Sequence, residues 1–279
     1  MFFFAWRKVS HGANGFYRAP SLARLATLPA CMDPTAQKIQ DALQVVSQFR
    51  QQHASDPALA QASTEIKRFQ ARRFKASYDD LLHSPRYQTA ATFFLHELYS
   101  DKDYAQRDQQ FARIATTIAR LFPQAVVDTT GALAEVHALT ETLDDQMARG
   151  WLADASSAPK GNECDRYIRC WRRLGGRAAR HHQLEVVLQL GQEMDRLTRM
   201  RGLRTLLKMM RRPAAAAGLE SLQQFLETGF DAFAKMEGAD AFLKQIQQRE
   251  SEWIRMLFDD DAVTCGTKLA NLLATGAAH

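Results

Sequence analysis

The sequence predicts an all-α fold, a bundle-like arrangement of about nine helices without a significant sheet. Apolar residues recur at the three- and four-residue spacing of a helix, as in Ile39, Leu43 and Val46. No stretch shows the sustained apolar–polar alternation, with β-branched side chains, that would indicate a strand. Glycine and proline are sparse, with 14 and 8 among 279 residues, and they separate the periodic segments. Such segments pack most simply as helix on helix.

The first half of the predicted fold covers residues 33–151. Two of its helices have clear beginnings, because Asp33-Pro34 and Asp56-Pro57 each place an N-cap aspartate before a proline at the first helical position. A strongly apolar segment at about 85–99 predicts a fully buried helix. Helices are predicted at about 34–52, from 57 to a break at Ser84-Pro85, at about 85–99, from Ser100 to Pro123 and at about 124–149.

Residues 152–162 are predicted to form a linker-like loop. Gly150 is a favourable residue just beyond a helix end, and Pro159 and Gly161 follow it. The second half covers residues 163–276, and we expect it to pack with the first half as one domain. Its helices are predicted at about 165–174, 178–200, 203–210, 214–234 and 239–258, with a short terminal helix capped by Asp259–Asp261.

Residues 1–32 are predicted to be a disordered or miscalled N-terminal extension. They hold four basic residues and no acidic one, so Asp33 is the first acid of the chain. Met32 directly precedes the first predicted helix, which fits a start at that methionine. A basic, acid-free segment is also typical of an organellar transit peptide, and this alternative stays open.

Positive charge is concentrated in residues 166–212. This basic segment holds thirteen Lys/Arg and three Asp/Glu, whereas the whole chain carries a net charge of only +5. Because charge of one sign on one surface favours a partner of the opposite sign, we expect an acidic protein or an anionic surface as partner. The predicted partner-binding residues are Arg166, Arg169, Arg173, Arg201, Arg204, Lys208, Arg211 and Arg212.

Other interpretations of the basic segment stay open. In one, its leucines and methionines belong to the core, and acids such as Glu220, Glu227 and Asp259–Asp261 neutralise the arginines within the fold. In another, residues 201–212 form a basic amphipathic helix that docks on an anionic membrane. Aromatic residues between the arginines would suit stacked bases, but no helix-turn-helix or RNP-type motif supports nucleic acid.

His137, Glu141 and Asp145 form a weak candidate for a metal site. Their spacing of four residues stacks the three side chains on one face of a helix. The Glu-x-x-His pair that is typical of metal sites in helical bundles does not occur in the sequence. We therefore interpret this face as a solvated polar face and predict no metal and no cofactor. The rival hypothesis is a cofactor-binding bundle or enzyme that uses His96, His137, Glu141 or His181.

Common catalytic signatures are missing from the sequence. Phosphate-binding glycine loops, the GxSxG nucleophile motif and the HExxH zinc motif are all absent. The four cysteines form no CxxC pair, which favours reduced thiols and a cytoplasmic location. No apolar run reaches the length that would span a bilayer.

Three motifs in the first half carry a resemblance to a known family. They are Tyr78-x-x-Leu81-Leu82, the segment Phe93-Phe94-Leu95-x-x-Leu98-Tyr99, and the pair Arg107-Asp108. The chain resembles a family of bacterial all-helical proteins of unknown function, and the similarity continues through residues 139–144 and 210–233. The resemblance implies a bacterial, cytosolic α-helical protein, and it carries no chemistry that can be transferred to individual residues.

These features together predict a non-catalytic helical binding or regulatory protein whose basic surface meets an acidic partner. A helical-bundle protein or enzyme that binds a cofactor or metal is the first alternative. A protein attached peripherally to a membrane is the second.

Overall fold

The computed structural model describes residues 34–97, 104–121, 124–157 and 162–276. Within these ranges the chain forms thirteen helices and no strand, which confirms the all-α prediction and adds a few short helices to it. None of these helices combines the length and the apolar character needed to cross a membrane. The predicted extension 1–32 and the predicted N-cap Asp33 lie outside the described residues. The helices are α1 (Pro34–Ser55), α2 (Pro57–Ser77), α3 (Asp79–Leu82), α4 (Gln88–Glu97), α5 (Ala105–Leu121), α6 (Gln124–Ser157), α7 (Glu163–Leu174), α8 (Arg177–Thr198), α9 (Leu203–Met209), α10 (Arg211–Ala216), α11 (Glu220–Lys235), α12 (Asp240–Asp259) and α13 (Ala262–Gly276).

Helix α2 begins directly after Asp56, the N-cap that the sequence predicted. The Asp56 side chain accepts a hydrogen bond of 3.1 Å from the backbone N–H of Leu59, and Pro57 occupies the first helical position. At the start of α7, Asn162 and Asp165 form a capping box. In both places a side-chain oxygen accepts a hydrogen bond from a backbone N–H group that has no partner within the first turn of the helix.

The longest helix, α6, packs against α1, α2, α7 and α8. It continues past Gly150 and through residues 152–157, where the sequence predicted a helix end and the beginning of a linker. Trp151 and Asp154 in this last part are buried, and tertiary burial of this kind stabilises a helix beyond its local signals. Residues 158–161 of the predicted linker lie outside the described ranges.

The helix predicted at 214–234 is divided into α10 and α11. Gly218 between them has a φ of 64°, a left-handed conformation that glycine adopts at little cost. The Arg113 guanidinium of α5 donates hydrogen bonds to the carbonyl oxygens of Ala217, at 2.6 Å, and Gly218, at 3.2 Å. The guanidinium thus donates to carbonyl groups that have no hydrogen-bond donor within the helix at the C-terminal end of α10.

Three clusters of buried apolar residues hold the helices together. The first joins α2, α6, α7, α12 and α13, and the second joins α2, α3, α4, α11 and α12. The third joins α1, α5, α6 and α11. Each cluster takes residues from both sides of the predicted linker, so the two predicted halves share their cores. Residues Asp33–His279 form one compact unit.

Helix α8 approaches α12 closely at Gly191. A Cβ at this position would lie 2.4 Å from the Cδ2 of Leu243, so the approach depends on glycine. Nevertheless, the apolar side chains of Leu184, Val187 and Met194 on α8 are only partly buried. They pack against the second apolar cluster and also line an interior space.

Candidate ligand-binding site

A cavity of about 410 Å³ lies among the helices, and we call it the central cavity. Its wall is formed mainly by α2, α5, α6, α8, α11 and α12, with contributions from α4, α7 and α9. This volume falls in the range of small-molecule sites in proteins. Apolar side chains in the wall include Phe93, Ile114, Leu133, Leu184, Val187, Met194, Phe225 and Leu226.

A polar row on α6 interrupts the apolar wall. It consists of His137, Thr140, Glu141 and Asp144, whose spacing places them on one face of the helix. Two of the three predicted metal ligands, His137 and Glu141, therefore lie together in the wall of the central cavity. The interpretation of this face as solvated is wrong for them, because their side chains are largely buried against α5 and α2.

Asp145, the third predicted ligand, lies apart from the polar row. Its carboxylate contacts His53 Nε2 of α1 at 3.1 Å and accepts a hydrogen bond of 2.7 Å from Arg149 Nε. It does not line the cavity. Among the described residues, no group of three or more His, Cys, Asp or Glu side chains is arranged to hold a metal ion.

All four members of the polar row have partners on other helices that line the cavity, and Thr140 accepts a hydrogen bond of 2.8 Å from Gln183 Nε2 of α8. The Lys67 ammonium donates to both carboxylate oxygens of Glu141, at 2.8 and 2.9 Å. Gln70 Nε2 donates to Asp144 Oδ1 at 3.0 Å, and His137 Nε2 lies 2.9 Å from Asp108 Oδ2. The row is thereby held in a fixed arrangement by α2, α5 and α8.

Two carboxyl groups in the cavity wall have shifted pKa values in opposite directions. Burial raises the pKa of Asp144 above its usual range, although the positive charges of Lys67 and Arg180 act against this. Burial also acts to raise the pKa of Asp108, but hydrogen bonds from His137 and Arg50 outweigh it and lower the pKa to about 2. Burial therefore acts against ionisation of Asp144, whereas hydrogen bonds stabilise the anion of Asp108.

Arg180 of α8 is a buried cation in the wall of the cavity. Only 8% of the residue is exposed, and its guanidinium lies 4.3 Å from the centroid of the Trp171 ring. Its hydrogen bond to Gln183 Oε1 is long, at 3.4 Å. Among the described residues, no carboxylate forms an ion pair with it. Trp171, also in the wall, has a buried indole N–H without a hydrogen-bond acceptor in the described part of the chain.

A second buried cation in the wall, Arg73, is fully paired. Its guanidinium donates to both carboxylate oxygens of Glu250, each at 2.9 Å. The hydroxyl of Tyr78 donates to the same carboxylate at 2.8 Å. This bidentate pair connects α2 to α12, and it contrasts with the situation of Arg180.

Sequence reasoning did not single out Arg180, although it lies within the basic segment. Nothing in the local sequence separates it from the surface arginines around it, since its burial depends on how α8 packs against α6 and α12. The histidines of the rival hypothesis behave differently. His137 lines the cavity, whereas His96 and His181 are exposed and do not.

The three predicted partner-binding arginines of α7 share a single carboxylate within the fold. Arg169 and Arg173 donate to the carboxylate of the buried Asp154 at 2.8 and 3.0 Å, and Arg166 Nε lies 3.9 Å from it. Arg166 also stacks on the ring of Trp151, at 3.8 Å. These three predicted partner-binding arginines thus hold α7 to the end of α6.

The α9 and α10 part of the basic segment is neutralised incompletely. Arg204 pairs with Asp231 at 2.8 Å, and Arg211 pairs with Glu227. The other three predicted partner-binding residues are exposed and form no ion pair among the described residues: they are Arg201, Lys208 and Arg212. Two apolar side chains beside them are also exposed, Leu206 by 40% and Met209 by 69%.

Comparison with protein families gives a match over most of the chain. The model of the domain of unknown function DUF8198 matches residues 49–264. This range includes the central cavity and the basic segment. Neither the curated proteins nor the solved structures gave a match.

Proposed function

The chain belongs to the DUF8198 family, and we propose that it is a non-catalytic binding protein that encloses a small, largely apolar ligand in its central cavity. The observation that carries this proposal is the cavity itself, with apolar side chains of α4, α5, α6, α8 and α11 lining a volume of about 410 Å³. We also propose a cytoplasmic location, which is supported by the free, buried thiols of Cys164, Cys170 and Cys265.

The apolar part of the wall favours an apolar occupant. An apolar molecule that fills the space recovers contacts that the wall otherwise lacks.

The paired state of the carboxylates supports binding over catalysis. Asp108, Glu141 and Glu250 in the wall are each held by a cationic partner. A general acid or base needs a group that is free to exchange its proton with a substrate. Three wall carboxylates are therefore committed to holding helices together.

The proposal is tested with N-phenyl-naphthylamine, a neutral dye that fluoresces in apolar surroundings. We expect saturable binding of one dye molecule per chain. Val187→Trp places a large side chain in the cavity wall and is expected to weaken dye binding by about tenfold or more. Val263→Trp is the matched control, because Val263 is 78% exposed and lies outside the cavity. Equal dye binding by both variants, with circular dichroism showing both folded, would contradict the proposal.

A second candidate function is association with an anionic lipid surface through α9 and α10. The observation that favours it is the set of exposed cations, Arg201, Lys208 and Arg212, that lack an ion pair among the described residues, beside the exposed Leu206 and Met209. Lipid headgroups attract the cations, and the interface accepts apolar side chains. An acidic protein partner for the same cations stays a prediction.

Co-sedimentation with vesicles tests this second candidate. We expect binding to phosphatidylserine vesicles that falls as salt is added, and none to phosphatidylcholine vesicles. Lys208→Glu with Arg212→Glu should abolish it. The control reverses two exposed lysines elsewhere, Lys75→Glu with Lys244→Glu, for the same change of net charge. Equal loss in both double variants would mean that net charge, not this surface, causes the attraction.

A further inference from the structure

We infer that the ligand of the central cavity is an elongated amphiphilic acid whose carboxylate is bound by Arg180. The inference rests on the proposed function and adds the chemical class of the ligand. Three features of the wall carry it: a buried guanidinium without an anionic partner among the described residues, a neighbouring orphan donor, and an apolar stripe that begins at the same place.

The first feature is the charge state of Arg180. A guanidinium stays protonated in proteins, so burial leaves it a cation with a large desolvation cost unless an anion compensates it. The ring of Trp171 at 4.3 Å and the long hydrogen bond to Gln183 compensate only part of this cost. A carboxylate in the cavity would supply the missing charge and accept two N–H groups at once.

The acidic side chains of the cavity wall do not supply the missing partner of Arg180. Glu141 is occupied by Lys67, and Glu250 is occupied by Arg73. Asp144 interacts electrostatically with Arg180 without forming an ion pair, and burial raises its pKa towards the neutral acid. None of these three carboxyl groups forms an ion pair with Arg180.

The second feature is the indole N–H of Trp171. It is buried and has no acceptor among the described residues. An unpaired buried donor is unfavourable, and such donors are few in folded proteins. Since the Trp171 ring lies against the Arg180 guanidinium, the two donors share one region of the wall. A single carboxylate bound in this region would compensate the charge of the guanidinium.

The third feature is the continuation of the wall along α8. Cavity-lining residues follow Arg180 at helical spacing, through Leu184, Val187 and Gly191 to Met194. From Arg180 to Met194 the helix rises by about 21 Å, at about 1.5 Å per residue. An anionic group at Arg180 thus leaves an extended apolar stripe for a hydrocarbon body, which describes an amphiphilic acid.

Displacement of the bound dye by dodecanoate and by dodecanol tests the inference at mildly alkaline pH, where the acid is ionised. The two probes share the hydrocarbon chain and differ in the charged group. We expect wild-type protein to bind dodecanoate about tenfold or more tightly than dodecanol. Arg180→Met should remove that preference. Arg196→Met is the matched control, because Arg196 is exposed on the same helix and should leave the preference unchanged.

The outcomes separate the inference from the proposed function. Equal affinity of wild-type protein for the acid and the alcohol would overturn the inference and leave cavity binding intact. Absence of dye binding would overturn both. If Arg180→Met does not fold, Arg180→Lys replaces it. This variant keeps the charge and loses the paired donors, so a reduced but finite preference for the acid is expected.

Discussion

Asp144 and Asp145 are neighbours in α6, yet the fold gives them opposite energetic roles. Asp144 lies in the cavity wall beside Gln70, and burial raises its pKa. Asp145 lies apart from the cavity, where it contacts His53 of α1 at 3.1 Å and Arg149 at 2.7 Å. A buried carboxylate with charged partners stabilises a fold through them, whereas a buried carboxyl group with a raised pKa opposes folding once it ionises.

The same substitution at these two positions should therefore act in opposite directions. Asp145→Asn is expected to lower the free energy of unfolding by about 1–3 kcal/mol, because it removes the buried charge that accepts the hydrogen bond from Arg149. Asp144→Asn is expected to be neutral or stabilising at neutral pH. A carboxyl group with a raised pKa contributes stability at low pH that is lost as the pH rises, so the advantage of Asp144→Asn over the wild type should grow with pH. Chemical denaturation across a pH series measures both effects, and equal destabilisation by the two variants would contradict this assignment.

Asp108 allows a test of pH dependence with the opposite sign. Its pKa of about 2 lies below the ordinary value of 3.8, because His137 and the nearby arginines stabilise the anion against the effect of burial. The stability it contributes is present above pH 3.8 and is lost as the pH falls towards 2. The lowered pKa corresponds to about 2 kcal/mol, which Asp108→Asn should remove at neutral pH.

The measurement for Asp108 is the free energy of unfolding between neutral and acidic pH. The curve of Asp108→Asn should approach that of the wild type in acid. Asp128→Asn, at an exposed position of α6, provides the control and should change little at any pH. Parallel curves for wild type and Asp108→Asn would mean that this carboxylate does not titrate as the geometry indicates.

At the scale of elements, charge attaches α7 to α6. Asp154 lies near the end of α6 and is only 2% exposed, and Arg166, Arg169 and Arg173 of α7 surround it. The hydrogen bond from Arg169 lowers the pKa of Asp154, with help from Arg173. The three arginines, which the sequence predicted to bind a partner, thus stabilise the contact between α7 and α6.

Asp154→Asn is expected to destabilise the protein by about 1–3 kcal/mol, because it removes the negative charge that accepts the hydrogen bonds from Arg169 and Arg173. Asp231→Asn breaks the exposed pair with Arg204 and should cost less than about 1 kcal/mol. Thermal unfolding of the two variants measures the difference. If Asp231→Asn proved the more harmful, the exposed pair and not Asp154 would hold the structure.

At the scale of the whole molecule, the buried thiols of the first apolar cluster allow a test of cooperative unfolding. It contains Cys164 and Cys170 of α7 and Cys265 of α13, packed with α2, α6 and α12. These thiols are buried and free, and burial raises the pKa of each. Since the thiolate is the reactive form, access to reagent requires that helices from distant parts of the chain separate.

In the variant Cys31→Ser, the remaining three thiols should react with DTNB only at the rate of unfolding. Replacing Cys31 leaves only the three thiols of this cluster to react. The rate of colour development should match the unfolding rate measured by circular dichroism, and all three thiols should appear together. Fast reaction of one thiol under native conditions would show that its helix opens independently of the cluster.

The local features of the fold were predictable because they depend on neighbours in the sequence. The all-α class, the start of α2 at Asp56-Pro57 and the family resemblance all follow from short-range patterns. The end of α6 and the division at Gly218 were missed, because each depends on a contact with another helix. Trp151 and Asp154 are buried by their neighbours, and Arg113 reaches the end of α10 from α5.

The sequence by itself determined which segments are helices, since side chains three and four residues apart share a face whatever surrounds them. It also placed His137 and Glu141 on one face. Only the tertiary structure decided that this face lines a cavity, that Asp154 pairs with the arginines of α7, and that Arg180 is buried without an anion from the described residues. The partners of such residues are far apart in the chain, as Arg73 and Glu250 are at a separation of 177 residues. Charge pairing between residues so far apart in the sequence depends on how the helices pack. The helical periodicity of the sequence carries no information about such pairs.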